Sequence, residues 1–284
     1  MAKSAKPKRK KQGPLEFLKS DPVLLAQLAA IFDLNTGAPE TDLERAQDLA
    51  WEAWDTPVKK KRIAMAHQAL DISADCADAF VLLAMSEAKT LPDTIELYRK
   101  GVSAGERALG PVMFTEEAGH FWGILETRPY MRACEGLARS LWQSGEPNDA
   151  ASIYQEMLRL NPGDNQGVRY PLLDLLITLK RDSEAQTLIT AYKNDNFAGW
   201  SYGRALLEFH AQGDTALARR KLAEALKRNS HAAAYLTGAK PMPKDMPDAY
   251  SPGQETEAIV YAETGRLPWL ATPGAVDWLR AKQG

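Results

Sequence analysis

The sequence predicts an all-α solenoid of about five helix pairs with capping helices at both ends, and three observations favour this fold class. Apolar residues recur at helical spacing along most of the 284 residues, whereas the alternation that is typical of strands never persists. Alanines recur at positions where two antiparallel helices must approach each other closely. Four prolines within 241–252 exclude a regular helix there and separate the paired segments from the last helical ones.

The segment 131–162 carries the clearest repeat pattern. Counting Met131 as position 1, Ala138 and Ala150 stand at positions 8 and 20, where two helices cross, and Tyr154 stands at position 24 to fill the gap between them. The other diagnostic positions hold Cys134, Leu137, Leu141, Met157 and Pro162. This pattern resembles the tetratricopeptide repeat, and the resemblance implies a scaffold that binds other molecules.

The remaining helix pairs follow the repeat pattern less closely. Pairs are predicted over 43–74 and 77–102 before the best repeat, and over about 165–193 and 202–229 after it. The residues 103–130 fit no repeat phase.

The chain is predicted to divide into three parts. Residues 1–13 contain six Lys or Arg and no acid, and they form a disordered basic tail. Residues 14–240 form the tetratricopeptide-like helical repeat domain, in which the apolar run at 23–32 makes the N-terminal capping helix. Residues 241–284 form a Pro-rich loop and the C-terminal capping helices, which are expected to wrap back onto the last repeat.

Two interpretations of the basic tail remain open. Clustered positive charge can contact nucleic acid or another polyanion without reading its sequence. The same composition also suits a terminus that only keeps the chain in solution. Because the whole chain carries a formal net charge of −2, the residues outside the tail are acidic, which argues against nucleic acid as the partner.

Composition predicts a soluble, cytoplasmic protein with no metal and no cofactor. The apolar run at 23–32 is about half as long as a membrane-spanning helix, and no hydrophobic signal core directly follows the basic N-terminal residues. Cys76 and Cys134 have no CxxC partner, so both are expected to be reduced, half-buried side chains. No Gly-rich phosphate loop or HExxH pattern is present.

Three segments of the sequence, one of which overlaps the best repeat, occur in the same order and at the same spacing as segments of one known family. They are DAFVLLAMSEAKTLPDTIELYRKGVSAGE at 78–106, YMRACEGLARSLWQSGEPNDA at 130–150, and NSHAAAYLTGAK at 229–240 followed by the proline loop and ETEAIVYA at 255–262. Over about 70–280 the chain thereby resembles the suppressor-of-tumorigenicity family, known in animals as membrane-associated proteins with tetratricopeptide-like repeats. The resemblance implies a repeat scaffold and no catalytic residues. Because the animal members have hydrophobic N-terminal segments and this chain has a basic tail, we expect a soluble, bacterial relative.

The concave face of such a solenoid is lined by the first helix of each pair and is the predicted binding groove. The candidate groove residues are Arg132, Glu135, Arg139, Trp142, Arg169 and Trp200. The three arginines make one end of the groove basic, and the tryptophans make the other end apolar. Such a surface suits a protein or peptide segment with an acidic group and a bulky anchor. Alternatively, the arginines pair with acids on neighbouring helices, and the sequence does not decide between these two arrangements.

The connector at 115–132 is the second candidate site. Its chemistry-bearing residues are Glu117, His120, Glu126 and Arg128. On a helix, Glu117 would lie one turn before His120, and an acid beside an imidazole can hold a divalent metal or transfer protons. Alternatively, the connector only plugs the solenoid with its aromatic residues and pairs its charges locally.

The sequence as a whole favours a noncatalytic scaffold that binds a protein or peptide segment in its groove. An enzymatic, metal-binding or ligand-binding site on the 115–132 connector is one alternative, and a nucleic-acid-associated factor that uses the basic tail is the other.

Overall fold

A computed structural model describes residues 41–282, and every regular element among them is a helix, which confirms the predicted all-α fold. The helices are α1 (Asp42–Trp54), α2 (Lys59–Ile72), α3 (Ala77–Ser86), α4 (Leu91–Glu116), α5 (Arg128–Ser144), α6 (Pro147–Leu160), α7 (Arg169–Thr178), α8 (Asp182–Ala191), α9 (Ala198–Gln212), α10 (Ala216–Arg228), α11 (Ala232–Leu236), α12 (Glu255–Ala271) and α13 (Ala275–Arg280). Two 3₁₀ turns, Phe121–Gly123 and Leu125–Thr127, lie between α4 and α5. The predicted basic tail at 1–13 and the N-terminal capping helix lie outside the described residues.

Consecutive helices pack in pairs across short turns, as the repeat pattern predicts. In the best repeat, α5 ends at Gly145, whose φ of 87° is the left-handed conformation that glycine adopts at little cost. Ala138 on α5 and Ala150 on α6 have no exposed surface, and Tyr154 is only 2 % exposed. The small residues therefore lie in the contact between the two helices, and the aromatic ring lies in the core beside them.

The region without a repeat phase begins inside α4. At Gly110 the backbone leaves helical geometry with a φ of 69°, and Pro111 follows it. Beyond this break, the ring of Phe114 lies 5.3 Å from that of Phe121 and 5.0 Å from that of Tyr130, measured between centroids. These aromatic contacts fill the space between α4 and α5, so the connector packs as a plug.

The C-terminal segment lies against the solenoid. Helix α12 packs on α7 and α9, which are the first helices of the fourth and fifth pairs. The C-terminal segment thus folds back onto the last two pairs, whereas the division of the chain at residue 240 stays a prediction.

A buried carboxylate fixes the position of α12. Glu257, which is 3 % exposed, accepts hydrogen bonds from the backbone N–H of Ala198 at 2.8 Å and from Nδ2 of Asn229 at 2.8 Å. The backbone N–H of Gly253 donates to the same carboxylate at 2.6 Å. Ala198 is the first residue of α9, so Glu257 supplies the negative charge that the N-terminus of this helix favours.

Between residues 41 and 282, none of the helices has both the length and the apolar character that crossing a bilayer requires.

Replacing Ala150 with Leu tests the helix contact of the best repeat. The larger side chain has no room between α5 and α6, so the free energy of unfolding should fall by roughly 1–3 kcal/mol. Ser152→Leu, on the exposed side of the same helix, is the matched control and should change it by less than about 0.5 kcal/mol. Urea denaturation measures both, and equal effects of the two substitutions would contradict the predicted packing.

Candidate functional site

A cleft of about 600 Å³ lies between α5 and α12. The α5 wall is made of Glu135, Arg139, Trp142 and Gln143. The α12 wall is made of Val260, Glu263, Thr264 and Leu267. The floor includes Tyr154, Gln166, Tyr170, Phe197 and Tyr261, with Tyr250 at the rim. Two helices that are far apart in sequence thus enclose one open site.

The α5 wall presents one arginine whose charge is partly neutralised. Arg139 is 66 % exposed, and its Nη2 donates to Oε1 of Glu135 at 3.0 Å. The other oxygen of Glu135 accepts a hydrogen bond from Nε2 of Gln166 at 2.7 Å. Trp142 lies one turn beyond Arg139 and is half-buried, so part of its indole faces the cleft.

The aromatic floor is built around Tyr170. The guanidinium of Arg169 lies 4.5 Å from the centroid of this ring, and the hydroxyl of Tyr170 donates to Asp195 at 2.7 Å. A Cβ added to Gly199 would lie 3.1 Å from the ring of Tyr170 and 3.2 Å from the ring of Tyr261. The absence of a side chain at Gly199 therefore lets both rings approach α9 and form the floor.

Arg132 lies in an ion pair and not in the cleft. Its Nε and Nη2 donate to the two oxygens of Asp78 at 2.8 and 2.5 Å, and this carboxylate has no exposed surface. Gln47 donates to Asp78 as well, at 2.7 Å. The pair joins α1, α3 and α5, so the predicted ligand-binding role of Arg132 is replaced by a structural one.

Arg169 is also held by carboxylates. It donates to Asp164 at 2.7 Å and to Asp195 at 2.8 Å, and its side chain is 17 % exposed. Desolvation raises the pKa of Asp164 above its ordinary value, although its hydrogen bonds to Arg169 act in the opposite direction. The predicted basic end of the groove is therefore wrong, because among the three arginines only Arg139 lines the cleft.

Trp200 was predicted to line the groove, and this prediction is wrong. Its side chain is fully buried, with its ring edge-on to those of Tyr170 at 5.8 Å and Tyr192 at 6.0 Å. Its indole Nε1 has no hydrogen-bond partner among residues 41–282. Trp200 thus packs behind Tyr170, a residue of the floor, and does not line the cleft.

The connector does not bring its predicted site residues together as a metal site. His120 and Glu126 are exposed, Glu117 is half-buried, and the part of the chain from 41 to 282 holds no group of three metal-ligating side chains. Arg128 donates from Nε to the carbonyl of Trp122 at 3.1 Å, and its guanidinium lies 5.2 Å from the centroid of that ring. These local contacts match the alternative in which the connector is a plug.

One motif was missed at the sequence level. The segment GVSAG at 101–105 fits the GxSxG pattern of nucleophile elbows, which requires a sharp turn between a strand and a helix. Here the segment lies inside α4, and its two glycines allow close contact with Ala133 and Tyr130. The pattern therefore serves helix packing.

The α12 wall was also missed, although its sequence was recognised as helical. The sequence of 255–271 predicts a helix but does not predict which side of it contacts the solenoid. Its apolar residues are distributed around most of the helix axis. Asp174 on α7 meets this helix through Thr264, whose Oγ1 donates to it at 3.2 Å. Burial raises the pKa of Asp174 to about 7.

Comparison with known proteins agrees with this architecture. A family model described as ST7 protein matches residues 30–117, and a tetratricopeptide repeat model matches residues 141–208. The suppressor of tumorigenicity 7 protein-like of Rattus norvegicus is 26 % identical over 264 residues, which are 85 % of this chain and 47 % of the relative. That of Homo sapiens is 25 % identical over 280 residues, which are 88 % of this chain and 48 % of the relative.

This chain is therefore similar to the suppressor of tumorigenicity 7 proteins. It spans about half the length of the curated relatives it matches. Among solved structures, YrrB, described as a tetratricopeptide-repeat protein with an unusual peptide-binding site, aligns with a TM-score of 0.48 and 16 % identity. That alignment covers 70 % of this chain and 91 % of YrrB. The segments 229–240 and 255–262 carry the resemblance described above. In the structure they are joined by the hydrogen bond from Asn229 to Glu257.

Arg169→Ala should strongly destabilise the protein. The substitution leaves Asp164 and Asp195 buried without their counter-ion, which should cost about 3–5 kcal/mol in the free energy of unfolding. Arg220→Ala removes an exposed arginine that lies 4.0 Å from the carboxylate of Glu224, and it should cost less than about 0.5 kcal/mol. Guanidinium denaturation measures both, and a loss below about 1 kcal/mol for Arg169→Ala would show that its ion pairs are not structural.

Asp174 should make stability fall as pH rises. Its pKa of about 7 in the folded protein lies above the ordinary value of 3.8, so between these values the folded protein holds a proton that the unfolded chain releases. The free energy of unfolding therefore decreases from pH about 4 to pH about 7. Asp174→Asn should remove this decrease and be more stable than the parent by on the order of 3 kcal/mol at pH about 8. Urea denaturation at several pH values measures this difference, which should be near zero at pH about 4.

Proposed function

We propose that this protein is a noncatalytic scaffold that binds a peptide segment in the cleft between α5 and α12. The observation that carries the proposal is the lining of the cleft, in which six aromatic side chains surround an open space between two well-packed helices. Aromatic side chains offer a large apolar contact area with few rotatable bonds, and they dominate the energetics of protein interfaces.

The walls of the cleft suit a chain-like ligand. On α12, Val260 and Leu267 are seven residues apart and both line the cleft, which places them about 10 Å apart along the helix. Trp142 faces them from α5, and Leu267 is 50 % exposed. A segment that lies along these walls can place two or three apolar side chains against them, as peptides do in helical grooves.

No specific observation favours either of the two alternative functions, a site on the connector or nucleic-acid association through the basic tail. The connector residues Glu117, His120 and Glu126 form no ligand cluster within residues 41–282. The nucleic-acid alternative depends on residues 1–13, which the structure does not describe, and it stays a prediction.

A phage-displayed library of random dodecapeptides tests the proposal. The library is selected against the folded chain, and the enriched sequences are synthesised and measured by isothermal titration calorimetry. We expect the enriched sequences to share bulky apolar residues. Trp142→Ala and Leu267→Ser should each weaken their binding at least about tenfold, because each removes apolar surface from one wall of the cleft.

Two matched variants locate the effect. Leu270→Ser lies on the same helix as Leu267 with a similar exposure, 55 %, but does not line the cleft. Trp51→Ala removes a tryptophan that is 47 % exposed on α1. Both should leave the affinity unchanged, and circular dichroism confirms that all four variants are folded. The proposal is wrong if no sequence is enriched, or if the control variants weaken binding as much as the cleft variants.

A further inference from the structure

The charges that line the cleft are mostly negative. Glu135, Glu257 and Glu263 are its acidic lining residues, and Arg139 is the basic one. Arg139 already pairs with Glu135 at 3.0 Å, so its charge is partly cancelled at the surface. Glu263 is exposed on the opposite wall, and Glu257 lies at the inner end of that wall. A cation that enters the cleft therefore meets a net negative potential.

The charged groups behind the lining residues also make the electrostatic potential of the cleft more negative. Arg169 lies behind Tyr170 but contacts two carboxylates, those of Asp164 and Asp195. Asp174, which accepts a hydrogen bond from the hydroxyl of the cleft residue Thr264, adds negative charge only above its pKa of about 7. The groups closest to the lining thus contribute more carboxylates than guanidinium groups.

The aromatic residues of the cleft are suited to a cationic side chain. The face of an aromatic ring attracts an ammonium or guanidinium group, and the long stem of Lys or Arg packs on apolar surface. Tyr170 already makes this contact with Arg169 inside the protein, at 4.5 Å from the ring centroid. Trp142 is half-buried at the opposite wall and faces the same cleft as Glu263.

We propose that the cleft selects peptide segments in which an arginine or lysine lies between apolar residues. This inference rests on the proposed peptide-binding function and names the chemical class of the segment. It reverses the acidic partner that the three arginines of the sequence suggested, because two of those arginines are neutralised and the α12 wall adds an acid.

Three synthetic peptides of the form acetyl-Gly-Leu-X-Leu-Gly-amide test the proposal, where X is arginine, norleucine or glutamate. Their affinities for the full chain are measured by the change in tryptophan fluorescence and by calorimetry. The arginine peptide should bind about tenfold more tightly than the norleucine peptide, and the glutamate peptide should bind most weakly. The advantage of arginine should shrink when the salt concentration rises from about 0.05 M to about 0.5 M.

Three variants connect this preference to the cleft. Glu263→Gln should remove most of the preference for the arginine peptide over the norleucine peptide. Glu224→Gln, which changes a glutamate that is 71 % exposed on α10, should leave both affinities unchanged. Arg139→Gln should strengthen binding of the arginine peptide, because it removes a positive charge and frees Glu135.

The outcomes separate this inference from the function on which it rests. If the norleucine and arginine peptides bind equally well, or the glutamate peptide binds best, the charge preference is wrong and peptide binding stands. If Arg139→Gln weakens the arginine peptide, the charge preference is also wrong. If none of the three peptides binds and the random library gives no binder, the peptide-binding function itself is wrong.

Discussion

The buried carboxylate of Glu257 determines where the cleft lies. It accepts hydrogen bonds from Ala198 at the start of α9, from Asn229 after α10 and from Gly253 before α12. A buried carboxylate without such donors would be strongly destabilising, so these four residues stabilise one another's positions. Because the start of α12 is fixed against α9 in this way, its outer side becomes the second wall of the cleft.

The contact between α12 and α7 is of a different kind. There the buried carboxylate of Asp174 receives one hydrogen bond from the described part of the chain, that of Thr264, and burial raises its pKa to about 7. One hydroxyl offsets little of the cost of desolvating a carboxylate, whereas the three donors around Glu257 offset much more. The two contacts of α12 therefore differ in stability. The contact at Glu257 is stabilised by three hydrogen bonds, whereas the contact with α7 becomes less stable as the pH rises.

The repeats could be predicted because their diagnostic residues are close together in the sequence. The site could not, because the residues that form it are far apart in the sequence. Ala138 and Ala150 lie twelve residues apart and determine one helix pair, so their pattern is readable within a single segment. The carboxylate that neutralises Arg132 is 54 residues away, and helical spacing says nothing about such partners. Trp200 was placed in the groove because repeat positions assume an open concave face, whereas here α12 packs on α7 and α9 and Trp200 packs behind Tyr170.

The net charge of a repeat surface depends on which charged side chains are already paired within the protein. In this protein the arginines of the groove are paired with carboxylates, so little positive charge remains there. Within the cleft, Arg139 is opposed by Glu135 on its own helix, whereas Glu263 projects from a helix that does not belong to any repeat. The repeats therefore supply the aromatic floor and one wall, and the non-repeat helix supplies the charge that discriminates between ligands. Because Glu263 and Leu267 lie on the exposed side of α12, their substitution can change ligand preference without disturbing the contacts that hold the helix in place.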